Sequence, residues 1–106
     1  MYCLSVQYPM PDDPDQFRDY YLNRHIPLAE TLPGLRAYEV AWPKALGADT
    51  DVPFCIFRGY FDSADAMKKA LMSEEGSEVA ADVPAYSPKG ATMCHFPVET
   101  KELALA

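Results

Sequence analysis

From Tyr2 to Tyr8 the chain alternates large apolar residues with small or polar ones (Tyr2-Cys3-Leu4-Ser5-Val6-Gln7-Tyr8). That period of two predicts a strand packed on one face. Pro9, Pro11, Asp12, Asp13 and Pro14 then break the strand and supply a helix cap followed by proline in the first turn. Phe17, Tyr20 and Tyr21 fall at spacings of three and four, which sets an aromatic stripe on the inner face, while Asp15, Gln16, Asp19 and Asn23 project outward. Pro27 has no N–H for the carbonyl of Asn23, so this helix is expected to end or kink around Arg24-His25-Ile26. A short second helical piece should then run to Leu32, before Pro33-Gly34.

Residues 35–42 read as a second strand and residues 54–61 as a third, the latter apolar at nearly every position, as in a strand covered on both faces. Residues 43–53 between them read as a loop. Ser63 is a good N-cap for a helix over residues 64–72, and Ser73 repeats the signal for a segment that Pro84 is expected to end. Residues 91–97 give a fourth strand. The order βαββαβ predicts an α+β, ferredoxin-like fold: a four-stranded antiparallel sheet with helices on one face. The helix-free face needs a cover, which predicts a homodimer closing sheet to sheet about a two-fold axis.

Length and charge narrow the function classes. A chain of 106 residues is expected to form a single domain over residues 1–106. Sixteen acidic against nine basic residues, a net charge of −7, repel phosphate backbones and anionic headgroups, so neither nucleic acid nor a membrane surface is an expected partner. Cys3, Cys55 and Cys94 are widely spaced and odd in number, which suits a reducing, cytoplasmic setting better than a disulfide framework or a zinc site. No apolar run approaches the roughly 20 residues of a membrane span. Phosphate loops, the G-x-S-x-G elbow, the zincin motif and C-x-x-C-H are all missing, and no tightly bound cofactor is expected. His95 has no second histidine or carboxylate pair at ligand spacing, so no metal site is predicted, and Asp12, Asp13 and Asp15 suit a solvated helix cap.

His25 is the leading acid/base candidate, because an imidazole at a kinked helix end titrates near neutrality. At about 100° per residue it lies at the edge of the aromatic stripe, able to point into a cavity while near solvent. A helix C-terminus would favour its protonated form. A histidine that only caps the last carbonyls is the competing reading at this position. The same count puts Arg24 in the middle of the stripe, where it either meets an anionic ligand or is turned outward by the kink.

The stretch Tyr20-Tyr21-Leu22-Asn23-Arg24-His25-Ile26-Pro27-Leu28, followed by Leu32-Pro33-Gly34-Leu35-Arg36-Ala37-Tyr38, resembles the signature of the EthD family. Val6-Gln7-Tyr8-Pro9, Phe61-Asp62-Ser63 and Ala81-Asp82-Val83-Pro84-Ala85-Tyr86 are also similar to its pattern. The resemblance implies a dimeric α/β barrel with a small-molecule pocket in each subunit. The family's namesake is an accessory protein of ethyl tert-butyl ether degradation, encoded beside a monooxygenase system. Relatives in the wider superfamily include cofactor-independent lactone isomerases, polyketide cyclases, quinone-forming monooxygenases and haem-degrading enzymes, so fold alone does not choose a reaction.

The resemblance implies that His25 lines the pocket and handles protons, and that the hydroxyl of Tyr38 orients a substrate oxygen; an ordinary core tyrosine is the competing reading for Tyr38. Tyr8, Tyr21, Trp42, Asp82 and Tyr86 are the expected substrate-binding residues, with Asp82 resting on the family likeness alone. The isomerase branch uses a cysteine late on strand three, where this chain has Gly59, while Cys55 reads as a small buried apolar residue. Noncovalent haem on His25 stays open. Three functions remain in play. The first is a protein that binds a small hydrophobic or oxygenated organic molecule beside a monooxygenase. The second is a cofactor-independent isomerase, cyclase or lyase with a histidine proton shuttle. The third is a non-catalytic regulatory or stress-related dimer.

Overall fold

A computed structural model describes residues 1–48 and 51–104. Its elements are β1 (Tyr2–Tyr8), α1 (Pro14–Tyr20), a π turn (Tyr21–His25), α2 (Ile26–Ala29), β2 (Ala37–Ala41), β3 (Cys55–Phe61), α3 (Ala64–Leu71), α4 (Glu74–Tyr86) and β4 (Thr92–Pro97). The four strands form one sheet in the order β2-β3-β1-β4, antiparallel at every pairing. This is the ferredoxin-like α+β arrangement that the element order predicts. Of the loop expected over residues 43–53, positions 49 and 50 lie outside the described residues, and the rest carries no helix or strand. Among the described residues no helix is long and apolar enough to cross a membrane.

Register decides which side chains meet the helices. Leu4 pairs with Gly59 and His95, Val6 with Phe57 and Met93, and Tyr8 with Cys55, so one face of the sheet carries Leu4, Val6, Tyr8, Cys55, Phe57 and Phe61, all buried. Phe17, Tyr21, Ile26, Ala29, Met67, Ala70 and Tyr86 come down on them from the helical layer. Each residue of Phe or Tyr size removed from water here contributes on the order of 2–3 kcal/mol of transfer free energy. On the opposite face β3 presents Ile56, Arg58 and Tyr60, with Arg58 exposed and paired in register with Glu39. Within this chain the third strand alternates, its inner face buried and its outer face half-buried around one charge, so the cover expected on that outer side has to come from outside the chain.

Local capping sets the helix starts. The Asp13 carboxylate accepts from the Gln16 N–H at 3.1 Å, with Pro14 at the first helical position. Ser63 and Ser73 accept from the Ala66 and Gly76 N–H groups, each at 3.1 Å. Each cap satisfies a donor the helix cannot use and stabilises it by about 1 kcal/mol.

Proline acts near both helix ends at the site, once as expected and once not. The first helix changes character around Arg24-His25-Ile26, as expected, without stopping. It widens, so that the Ile26 N–H donates to the Tyr21 carbonyl five residues back, and then continues as α2. Pro27 cannot close a regular turn on Asn23, and the wide turn carries the chain past it without ending the helical path. Pro84 does not end α4 either; the helix runs through it to Tyr86, and the Ser87 N–H donates to the Val83 carbonyl at 2.8 Å. A proline so close to the helix end forfeits one hydrogen bond only, and the extra turn brings Tyr86 into the core, where it is 1% exposed.

Candidate functional site

Between the helix-facing side of the sheet and α2, α3 and α4 lies a cavity of about 270 Å3. Leu4, Val6 and Phe57 form its floor, Ala29, Leu71, Val79 and Val83 its roof, and Ala91 and Met93 one rim. His25 and Tyr8 are the titratable side chains in this otherwise apolar wall. An engineered protein cavity of about 150 Å3 holds benzene, so this space suits roughly one substituted ring.

His25 reaches the cavity because of the π turn. Counting 100° per residue puts Arg24 inside the stripe and His25 at its edge. The wide turn sets the following residues back by one position, so that His25 is 3% exposed and Arg24 faces outward. The imidazole stacks on Tyr21 with centroids 5.4 Å apart and lies against Tyr86 at 4.6 Å. Its Nδ1 is 3.0 Å from Oδ2 of Asp82. The other carboxylate oxygen, Oδ1, accepts from the Tyr20 hydroxyl at 2.7 Å. With α4 holding Asp82, Val83 and Tyr86 on one stretch, a single helix provides the ring's partner, part of its packing surface and part of the cavity roof.

Burial lowers the His25 pKa from its ordinary 6.5, and the Asp82 hydrogen bond and charge oppose that shift without reversing it. The expectation of a protonated imidazole at a helix C-terminus is thereby corrected: the helical path continues to Ala29, and the ring sits in an apolar layer. Around it, burial pushes the Tyr8 hydroxyl up to about 12, and the Tyr21 and Tyr86 hydroxyls upward too, again by burial first. The Tyr86 hydroxyl donates to that of Tyr8 at 2.8 Å. All three phenols are therefore neutral spacers and hydrogen-bonding groups across the ordinary pH range.

Among the residues expected to form the site, the structure brings Tyr8, Tyr21, His25, Asp82 and Tyr86 together. Tyr8 and His25 line the cavity, while Tyr21, Asp82 and Tyr86 surround the imidazole. Tyr38 and Trp42 stand elsewhere. Tyr38 stacks on the side of Phe57 at 5.7 Å and donates to Glu30 at 2.8 Å. Trp42 packs on Phe17 and Phe54, with the Arg18 guanidinium 4.6 Å from its ring. Tyr20, which holds Asp82, was foreseen as part of the stripe but not as part of the site. Its signal is the position four residues before Arg24, at the solvent edge of the stripe, where a hydroxyl can reach α4.

Other candidate chemistry falls away on geometry. A Cβ at Gly59 would lie 2.9 Å from the Phe57 ring and 3.1 Å from the Leu35 side chain, so a cysteine there would require both side chains to shift. Cys55 is fully buried, and burial raises its thiol to about 12, which makes it a packing residue. His95 is exposed on β4, its Nδ1 meeting the Tyr2 hydroxyl. Among the described residues no three His, Cys, Asp or Glu side chains converge on a metal position. At about 270 Å3 the cavity lies just under the roughly 300–1,000 Å3 of sites for drug-sized ligands.

A family model described as the EthD domain matches residues 11–89. An uncharacterized 11.0 kDa protein in the thcB-thcC intergenic region of Rhodococcus erythropolis is 29% identical over 100 residues, covering 94% of this chain and 97% of that protein. Among solved structures, an ethyl tert-butyl ether (EthD) family protein of Bacillus halodurans superposes with a TM-score of 0.81 at 24% identity, over 93% of this chain and 99% of its own. SnoaB of Streptomyces nogalater, a cofactor-independent oxygenase, superposes with a TM-score of 0.65 at 15% identity, over 94% of both chains.

Proposed function

Because the chain belongs to the EthD family, we propose that it is a small-molecule pocket protein of a degradative pathway, in which His25, oriented by Asp82, takes a proton from the bound molecule without help from a cofactor. The observation that carries this reading is the pairing of His25 with Asp82 at 3.0 Å on the wall of an apolar cavity. A carboxylate behind one ring nitrogen holds the other in a single orientation and stabilises the imidazolium as it forms. The ring is neutral before the reaction, because burial lowers its pKa, and so is ready to accept. The similar fold of a cofactor-independent oxygenase supports a pocket of this kind. Compounds with an acidic O–H or C–H next to a ring or carbonyl are the reactants that such a base serves.

The test is a thermal-shift and turnover screen of wild type and His25→Ala against phenols, lactones, quinones, tertiary alcohols and ethers. A ligand-specific stabilisation, with turnover lost in the variant while binding persists, is the expected result. Unchanged turnover in the variant would remove His25 from the chemistry. A second reading, a carrier that delivers or sequesters a substrate beside a monooxygenase, is supported by the apolar wall, which needs no proton transfer to hold a ligand. Tight binding with no turnover in wild type would select it. The third reading, a regulatory dimer with a filled pocket, is disfavoured by a cavity of about 270 Å3. In all three readings the chain pairs as a homodimer through the helix-free face, where Ile56, Tyr60 and Phe96 are only half-buried within one chain. Light scattering at micromolar concentration tests that pairing.

A further inference from the structure

A neutral imidazole has one nitrogen that donates and one that accepts, and its hydrogen-bond partner decides which is which. At His25 the partner is a carboxylate, which only accepts. Oδ2 of Asp82 therefore accepts a hydrogen bond from the Nδ1–H, while Oδ1 accepts from the Tyr20 hydroxyl. The Nε2 lone pair is what remains. Among the described residues the Tyr21 hydroxyl is the buried side-chain polar atom left without a partner, so the unbonded Nε2 is not sealed into the packing but meets the cavity that His25 lines. The other hydroxyl on the wall, that of Tyr8, accepts from Tyr86 and keeps its own O–H as a donor.

We infer that the cavity selects ligands that bring a hydrogen: compact, uncharged phenols or alcohols of roughly one substituted ring, whose O–H donates to Nε2 of His25, in preference to the corresponding ethers. The inference rests on the cavity being the binding site and adds the polarity of its recognition. An ether or ketone oxygen at the same place sets lone pair against lone pair and gives Nε2 no hydrogen bond in an apolar wall. A carboxylate ligand meets the same lone pair, with the Asp82 charge directly behind the ring. The rest of the wall, from Leu4 and Val6 to Val79 and Val83, asks only for apolar bulk.

Two isomers with the same atoms separate the terms: 4-ethylphenol, which has an O–H, and 4-methylanisole, which has a methyl ether instead. By calorimetry at neutral pH the wild-type protein is expected to bind the phenol at least roughly tenfold more tightly, the scale of a buried polar group left unpaired. In His25→Phe, which keeps a ring but removes the acceptor, the two affinities should converge to within roughly twofold. Nitrogen-15 NMR of the wild-type imidazole provides a readout that survives any folding failure of that variant. Nε2 should be unprotonated in the free protein and should be the nitrogen that shifts when 4-ethylphenol is added. Equal affinities for the two isomers, an anisole preference, or an Nε2–H tautomer would overturn the donor requirement while leaving the cavity as a binding site. Failure of both isomers to bind up to their solubility would overturn the binding site itself, and the inference with it.

Discussion

Replacing Asp82 with asparagine isolates the electrostatic part of the site, because the two side chains have nearly the same shape. In the native protein the Asp82 side chain is 16% exposed, and its carboxylate receives two hydrogen bonds, at 3.0 Å from His25 and 2.7 Å from Tyr20. Two effects act on His25: burial lowers its pKa, and the hydrogen bond and charge of Asp82 raise it. Asparagine keeps the packing but removes the charge. A hydrogen bond to a charged partner contributes about 1.5–3 kcal/mol and a neutral one about 0.5–1.5, so the imidazolium should lose about 1–1.5 kcal/mol of support. At about 1.4 kcal/mol per unit, the His25 pKa should fall by roughly one further unit below its native value. The assay is an NMR titration of the His25 ring in wild type and Asp82→Asn. An unchanged or higher His25 pKa in the variant would refute the assignment of Asp82 as its electrostatic partner, whatever the effect on ligand binding.

Native stability should depend on pH through the same group. His25 has a folded pKa below its unfolded value of 6.5, so between the two the unfolded chain binds more protons, and stability rises with pH through that window. The contribution is complete above 6.5 and is lost as pH falls toward the folded value. Facing the ring are Asp82, Tyr21 and Tyr86, with the Tyr20 hydroxyl on the other Asp82 oxygen, while Arg24 turns to solvent. Urea midpoints measured at about pH 7.5 and about pH 5.5 should fall more steeply in wild type than in His25→Gln, and parallel falls would count against the burial argument. Gly76→Ala places a Cβ 2.4 Å from the Ala70 carbonyl oxygen and 2.5 Å from that of Leu71, both backbone atoms at the junction of α3 and α4. It should destabilise by about 1–3 kcal/mol in urea unfolding, and an unshifted midpoint would contradict the close approach seen here. Tyr38→Phe removes only an exposed hydrogen bond to Glu30. It should change stability by no more than about 0.5 kcal/mol and leave ligand affinity intact, whereas a large loss of affinity would return Tyr38 to the site.

How much of this was legible in the sequence depends on the range over which each feature is determined. Strand β1 and the caps at Asp13, Ser63 and Ser73 are local: a few residues contain both the signal and its cause, and they fall where the patterning puts them. The phase of β2 is also correct, with Tyr38, Val40 and Trp42 on the helix-facing side. Phase gives a face, however, and not a lateral position. Because β2 is an edge strand separated from β1 by β3, its side chains stand away from a cavity built over β1, β3 and the start of β4. The partnership of His25 with Asp82 spans 57 residues. It is set by how α4 lies across the π turn, and no spacing along the chain encodes that.

Pro27 links these levels. Its missing N–H is visible in the sequence as a reason for the first helix to stop, and the physical conflict with Asn23 is real. The chain resolves it by widening instead of ending, with Ile26 bonding to Tyr21 five residues back. A uniform count of 100° per residue fails at that point, by one residue and in one direction. It exchanges the places of Arg24 and His25, so the charged side chain reaches solvent and the titratable ring enters the core. A helix ending there would have left His25 at a terminus, protonated and near water. The wide turn instead stacks it on Tyr21 and lowers its pKa, with Asp82 behind it and one nitrogen toward the cavity. A local backbone irregularity thus sets both the protonation state of the imidazole and the direction in which it can act.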